Sequence, residues 1–116
     1  MDGWTPLHCG SETGHLEIVQ FLVERGADLT AQDKDRWTPL HSASRNGHLD
    51  IVQSLVEHGA DLTVQHKDEW TPLHLALQNG HVEVVQFLVE HGVGPTAQTK
   101  VGDSVRRHVI ARAKLG

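Results

Sequence analysis

A chain of 116 residues with a formal net charge of −5 has room for one domain. Residues 1–103 carry all 15 acids against six bases, giving −9, which argues against a surface built to grip a nucleic-acid backbone. Cys9 is the single cysteine, so an internal disulfide and a thiolate zinc site are excluded.

Along the chain, one 33-residue unit is written three times without a gap. It occupies residues 2–34, 35–67 and 68–100, and the first two copies agree at 23 of 33 positions. Trp4, Trp37 and Trp70 mark the register, as do Gly14, Gly47 and Gly80. A fixed period of this length signals stacked units that share one elongated core. The three copies and their flanks therefore count as a single domain over residues 1–116.

The middle copy shows how a unit folds. Asp33-Lys34-Asp35-Arg36 is polar and turn-like. Thr38 is placed as an N-cap with Pro39 at the first helical position, where a missing N–H costs nothing. The first helix is predicted over about Pro39 to Asn46, ending at Gly47; the second runs over about Leu49 to His58, ending at Gly59. In that second helix Ile51, Val52, Leu55 and Val56 form one apolar stripe. Ser54 stands where the other copies have Phe21 and Phe87, which places the position at the margin of the stripe. Helices this short do not persist alone in water, so each unit depends on its neighbours to bury its stripe.

This unit, with TPLH opening a first helix, GHLEIV opening a second and GADL closing it, resembles the ankyrin repeat over residues 2–100. The resemblance implies an all-α solenoid of stacked antiparallel helix pairs, with β-turn fingers projecting roughly at right angles. It also implies a domain that binds another protein through its finger tips and concave first-helix face, and that is not an enzyme. Carried over position by position, the usual contacts fall on Gln32, Lys34, Asp35 and Trp37 in one finger and on Gln65, Lys67, Asp68 and Trp70 in the next. The first helices supply Ser42 and Arg45, then Leu75 and Gln78. The first repeat contributes Trp4, Cys9 and Glu12.

The chain departs from the family pattern in places. The residue before the tryptophan is usually Gly, as at Gly3, but here Arg36 and Glu69 replace it; if φ must be positive there, both carry strain. The frequent Asn before the finger is replaced by Thr30, Thr63 and Thr96, so asparagine hydroxylation lacks its usual target. The third unit ends HGVGPT, where Gly94 and Pro95 are expected to reshape the finger.

Residues 104–116 keep the register weakly. Ser104 can cap a helix, Val105, Val109, Ile110 and Ala113 form a stripe, and Arg106, Arg107, Arg112 and Lys114 face elsewhere. A C-terminal capping helix is expected over about 104–114. No equivalent cap precedes Asp2. The chain thus reads as a segment of a longer array, or as a scaffold unit that self-associates through its N-terminal face.

Six of the ten histidines are the TPLH and GH residues: His8, His41, His74, His15, His48 and His81. The resemblance gives the TPLH histidine a structural role, bonded to neighbouring backbone and to the capping Thr. The remaining His58, His66, His91 and His108 lack ligand spacing, so no metal and no cofactor is expected. The tryptophans admit two readings, contact with a partner or cover for the turn beneath. Gln32, Gln65 and Gln98 repeat beside Lys34, Lys67 and Lys100, which suits an extended ligand or simply reflects duplication. Cys9 lies on the accessible face without a base beside it. No catalytic triad, phosphate loop or carboxylate pair is present.

No run reaches 18 apolar residues, so no membrane span is expected, and no signal peptide precedes the first repeat. Together with the cysteine content this points to an intracellular protein, cytoplasmic or nuclear.

Overall fold

Threonine, proline and histidine open every first helix in the computed structural model, which describes residues 3–91. Among the described residues there are six helices: α1 (Pro6–Thr13), α2 (Leu16–Glu24), α3 (Pro39–Arg45), α4 (Leu49–Glu57), α5 (Pro72–Gln78) and α6 (Val82–Glu90). At Thr5, Thr38 and Thr71 the hydroxyl accepts the N–H of the third helical residue, and that residue's ring accepts the threonine N–H in return. The reciprocal cap thus uses His8, His41 and His74 where a glutamate or glutamine is more usual. The second helices need no such device: His15, His48 and His81 precede them without a side-chain cap.

The helices form two rows. α1, α3 and α5 pack side by side, and α2, α4 and α6 pack behind them. The core runs along the seam as ladders of equivalent residues: Leu7, Leu40 and Leu73 are each at most 1% exposed. Val19, Val52 and Val85 form a second rung set, all buried. Each such side chain contributes roughly 1.5–3 kcal/mol by leaving water. The all-α solenoid expected from the repeat is what the described residues adopt. The third finger and the capping helix expected near 104–114 lie outside them.

Two glycines carry the junction between rows. Gly14 and Gly47 take φ of 83° and 72°, and a Cβ there would lie 2.7 Å and 2.5 Å from the rings of His48 and His81. Those rings in turn bond back: His48 Nε2 to the Glu12 carbonyl at 3.3 Å, His81 Nε2 to the Arg45 carbonyl at 2.9 Å. The GH pair is therefore a contact between repeats as well as a helix stop.

Ser54 departs from the expectation of a marginal site. It is buried, while Phe21 at the equivalent position is 54% exposed and Phe87 is half-buried against the core. The reason is neighbourhood: α4 has a helix on either side, so a short residue there is covered, whereas α2 has one on a single side.

Candidate functional site

The turns before the first helices are built by a three-residue loop whose last position is left-handed. Arg36 N donates to the Asp33 carbonyl at 3.0 Å and Asp33 N donates to the Trp37 carbonyl at 3.0 Å. The following turn repeats this: Glu69 N donates to the His66 carbonyl at 2.8 Å and His66 N to the Trp70 carbonyl at 3.1 Å. Closing such a loop requires positive φ, and Arg36 and Glu69 supply it at 62° and 68°. The strain anticipated at these two positions is present. Side chains complete the turns differently. Asp33 Oδ1 accepts the N–H groups of Asp35 and Trp37, whereas His66 Nδ1 accepts that of Asp68 at 2.9 Å. Neighbouring turns are tied by Lys67 N donating to the Asp35 carbonyl at 2.8 Å and by a Lys67–Asp35 ion pair at 3.3 Å.

Each tryptophan stacks on the histidine of its own TPLH: Trp4 on His8, Trp37 on His41 and Trp70 on His74, with centroids 4.7, 5.0 and 5.4 Å apart. Each indole therefore does cover structure beneath it. Each is also only half-buried, leaving ring surface in solvent. Trp37 is held hardest. Its Nε1 donates to Ser42 Oγ at 2.6 Å, His66 stacks on it at 5.3 Å, and the Arg45 guanidinium lies over the ring at 4.8 Å. Arg45 is itself ion-paired to Glu12 of the preceding repeat.

Burial sets the state of His41 and His74 behind this wall. Because the Thr38 N–H donates to Nδ1 of His41, the ring proton sits on Nε2, which donates to the Trp70 carbonyl at 3.0 Å. His8 reaches the Trp37 carbonyl in the same way at 2.7 Å. Desolvation pushes His41 down to about 4, and the nearby His66 adds to this against the pull of the Trp70 carbonyl. Burial also lowers His74.

The fold gathers Trp4, Asp35, Trp37, Arg45, Lys67 and Asp68 around one cleft of about 310 Å³, together with Asp33 and His66. Gln32, Lys34, Gln65 and Gln78 are exposed. Ser42 and Leu75 are not available: both are buried, Ser42 beneath Trp37 and Leu75 within the first-helix row. They occupy the position of Cys9, which is exposed; among the described residues α1 has no first helix packed before it, as α3 and α5 do. His66 was not singled out as a contact. Its signal in the sequence is weak, since the position varies as Asp33, His66 and Thr99 across the copies; among the described residues His66 meets the rings of Trp37 and His41. A second hollow of about 290 Å³, lined by Leu29, Leu40, Ala60 and Val64 among others, contains only Gln32 of the expected contacts. Among the described residues no three His, Cys, Asp or Glu side chains converge on a metal position. No helix there is long and apolar enough to cross a membrane.

A family model for ankyrin repeats (three copies) matches residues 30–99, and the single ankyrin repeat model matches residues 2–34. The chain belongs to the ankyrin repeat family. Ankyrin repeats are generally protein–protein interaction modules and are typically non-enzymatic. An ankyrin repeat-containing protein of Schizosaccharomyces pombe, P1E11.10, is 41% identical over 34 residues, 29% of this chain and 16% of that protein. The transient receptor potential cation channel subfamily A member 1 of Drosophila melanogaster is 55% identical over 31 residues, 27% of this chain and 3% of the channel. The aligned stretches are about one repeat long, so the likeness to each is a likeness of repeats.

Proposed function

We propose that this ankyrin domain binds a partner protein along the cleft between its turns and its first-helix row, without catalysis. The observation that supports the reading is the convergence of Trp4, Trp37, Arg45, Asp35, Lys67 and Asp68 on one open depression. These side chains are held in place by stacking, ion pairs and backbone bonds, so little freedom is lost when a partner arrives. The exposed Lys34, Gln65 and Gln78 and half-buried Trp70 are accessible to the same partner, whereas Gln32 lines the second hollow. Its working compartment on this reading is intracellular, cytoplasmic or nuclear.

Affinity capture from lysate followed by mass spectrometry supplies the partner, and point variants then locate its footprint. Trp70 suits this better than Trp37, because its only ring contact among the described residues is His74. Trp70→Ala should weaken binding by more than about 1 kcal/mol with helicity retained. Gln86→Ala, exposed on α6, should not. Equal affinities for the two variants would remove Trp70 from the interface, and Lys67→Ala, which lines the cleft, tests the cleft itself in the same assay.

A second reading concerns the outer side of the first repeat. Ile18 is 50% exposed where its equivalents Ile51 and Val84 are buried at 0% and 1%, and Phe21 beside it is exposed as well. These residues have the chemistry of an inter-repeat contact, which suits a scaffold or self-associating unit joined through the N-terminal face. Sedimentation velocity tests it: association that rises with concentration and disappears in Ile18→Asp supports the reading. A concentration-independent monomer rejects it.

A further inference from the structure

The middle repeat already contains a bound cation, and it belongs to the chain itself. Arg45 lies over Trp37 and pairs with Glu12. The eight-residue offset from tryptophan to this position recurs in the other repeats, where it falls on Glu12 beside Trp4 and on Gln78 beside Trp70. Neither can place a positive charge over an indole. Among the described residues Trp4 and Trp70 have only their TPLH histidine as a ring partner. Each repeat thus offers an aromatic platform, and among the described residues only the central one carries a cation.

The flanking platforms carry matching negative charge. Asp33 lines the cleft beside Trp4. Asp68 and Glu69 immediately precede Trp70 and are exposed. The two cations that line the cleft, Arg45 and Lys67, are already paired with Glu12 and Asp35. A guanidinium over an indole edge-flanked by carboxylates gains both quadrupole and charge attraction.

We infer that the partner is an extended basic segment that sets one arginine over Trp4 and another over Trp70, straddling Arg45. This assignment rests on the cleft being the interface. The geometry also fixes a spacing. Neighbouring first helices pack about 10 Å apart, so two repeats span about 20 Å. An extended chain advances about 3.3 Å per residue, which puts the two arginines about six residues apart. A spacing of three would bring the second arginine level with Arg45 but, by the alternation of an extended chain, turned to the opposite face, so only one platform is engaged.

Three fluorescein-labelled peptides in a Gly-Ser background provide the test by anisotropy at low salt: arginines six apart, arginines three apart, and glutamates six apart. The six-spaced arginine peptide should bind at least about fivefold tighter than the three-spaced one, since only it engages both platforms together. Gln78→Arg fills the platform over Trp70 from within the chain and removes no existing contact. It should cost the six-spaced peptide at least about fivefold in affinity, while the charge-matched Gln86→Arg on α6 should cost much less. Binding that ignores spacing, or falls equally in the two arginine variants, would overturn the inference as bulk attraction to an acidic domain. Preferential binding of the glutamate peptide would overturn it outright. The captured natural partner separates this from the broader reading: its loss in Trp70→Ala with full retention in Gln78→Arg would sink the arginine assignment and leave the cleft intact.

Discussion

Arg36 and Glu69 show how a turn can be imposed on residues that do not favour it. The loop needs a left-handed residue before each tryptophan, glycine supplies it at Gly3 with φ of 85°, and the two later repeats force it on side chains with a Cβ. Non-glycine residues in this region cost of order 1 kcal/mol or more. Arg36 makes no ion pair among the described residues, so little opposes its replacement. Arg36→Gly should therefore raise unfolding free energy by about 0.5–1 kcal/mol, the strain relief being partly offset by the greater freedom of glycine in the unfolded chain. Chemical denaturation with an unchanged slope measures it, and a loss of stability would mean that the guanidinium makes a contact worth more than the strain. This feature was legible in the sequence because it is local: one position, one backbone requirement, two misfitting residues. The burial of Ser42 was not legible, because it depends on where the Trp37 ring folds. Nor was the covering of Ser54, which depends on helices from both neighbouring repeats.

At the scale of elements, the period and the punctuation carried most of the information. Thr-Pro marks each first helix, glycine ends it, and the apolar stripe of each second helix was readable from spacing alone. Spacing does not reveal why the glycine must be followed by histidine. The structure gives a steric reason. Gly47 leaves room for the His81 ring, which reaches across to the Arg45 carbonyl and so joins α6 to the end of α3. Gly47→Ala would meet two penalties together, a left-handed backbone and a Cβ 2.5 Å from the ring. The ring would have to withdraw, leaving that carbonyl without its donor. A loss of roughly 2–4 kcal/mol is expected from strain and the broken bond combined. Gly80→Ala is the control: its φ is 73° but no described atom lies within 4 Å of the added carbon, so it should cost less. Equal losses in thermal or urea melts would show that the backbone term alone matters and that the ring contact contributes nothing.

On the scale of the whole stack, His41 and His74 make acidity a global variable. His41 closes the cap of its own helix with Nδ1 and holds the next repeat through the Trp70 carbonyl with Nε2. A second proton has to enter at Nδ1, where the Thr38 N–H already donates, so protonation breaks the cap. Burial disfavours the charged ring and holds its pKa at about 4 in the fold, against 6.5 for an unperturbed imidazole. Since the folded value is depressed, the unfolded chain binds more protons between these limits. The contribution is complete above about pH 6.5 and is lost progressively as pH falls toward 4. The shift corresponds to an upper limit of roughly 3 kcal/mol, and burial of His74 acts in the same direction. In a stack whose stability lies in contacts between neighbours, a weakened central junction loosens both outer repeats at once. Melting temperature should therefore fall steadily from pH 7 to pH 4.5, with loss of helicity and exposure of the indoles coinciding. His41→Gln should start less stable, because it loses the shaped cap, but show a shallower decline over the same range. A wild-type profile that stays level between pH 7 and 4.5 would contradict the proton count, and with it the role of His41 as the neutral link between repeats.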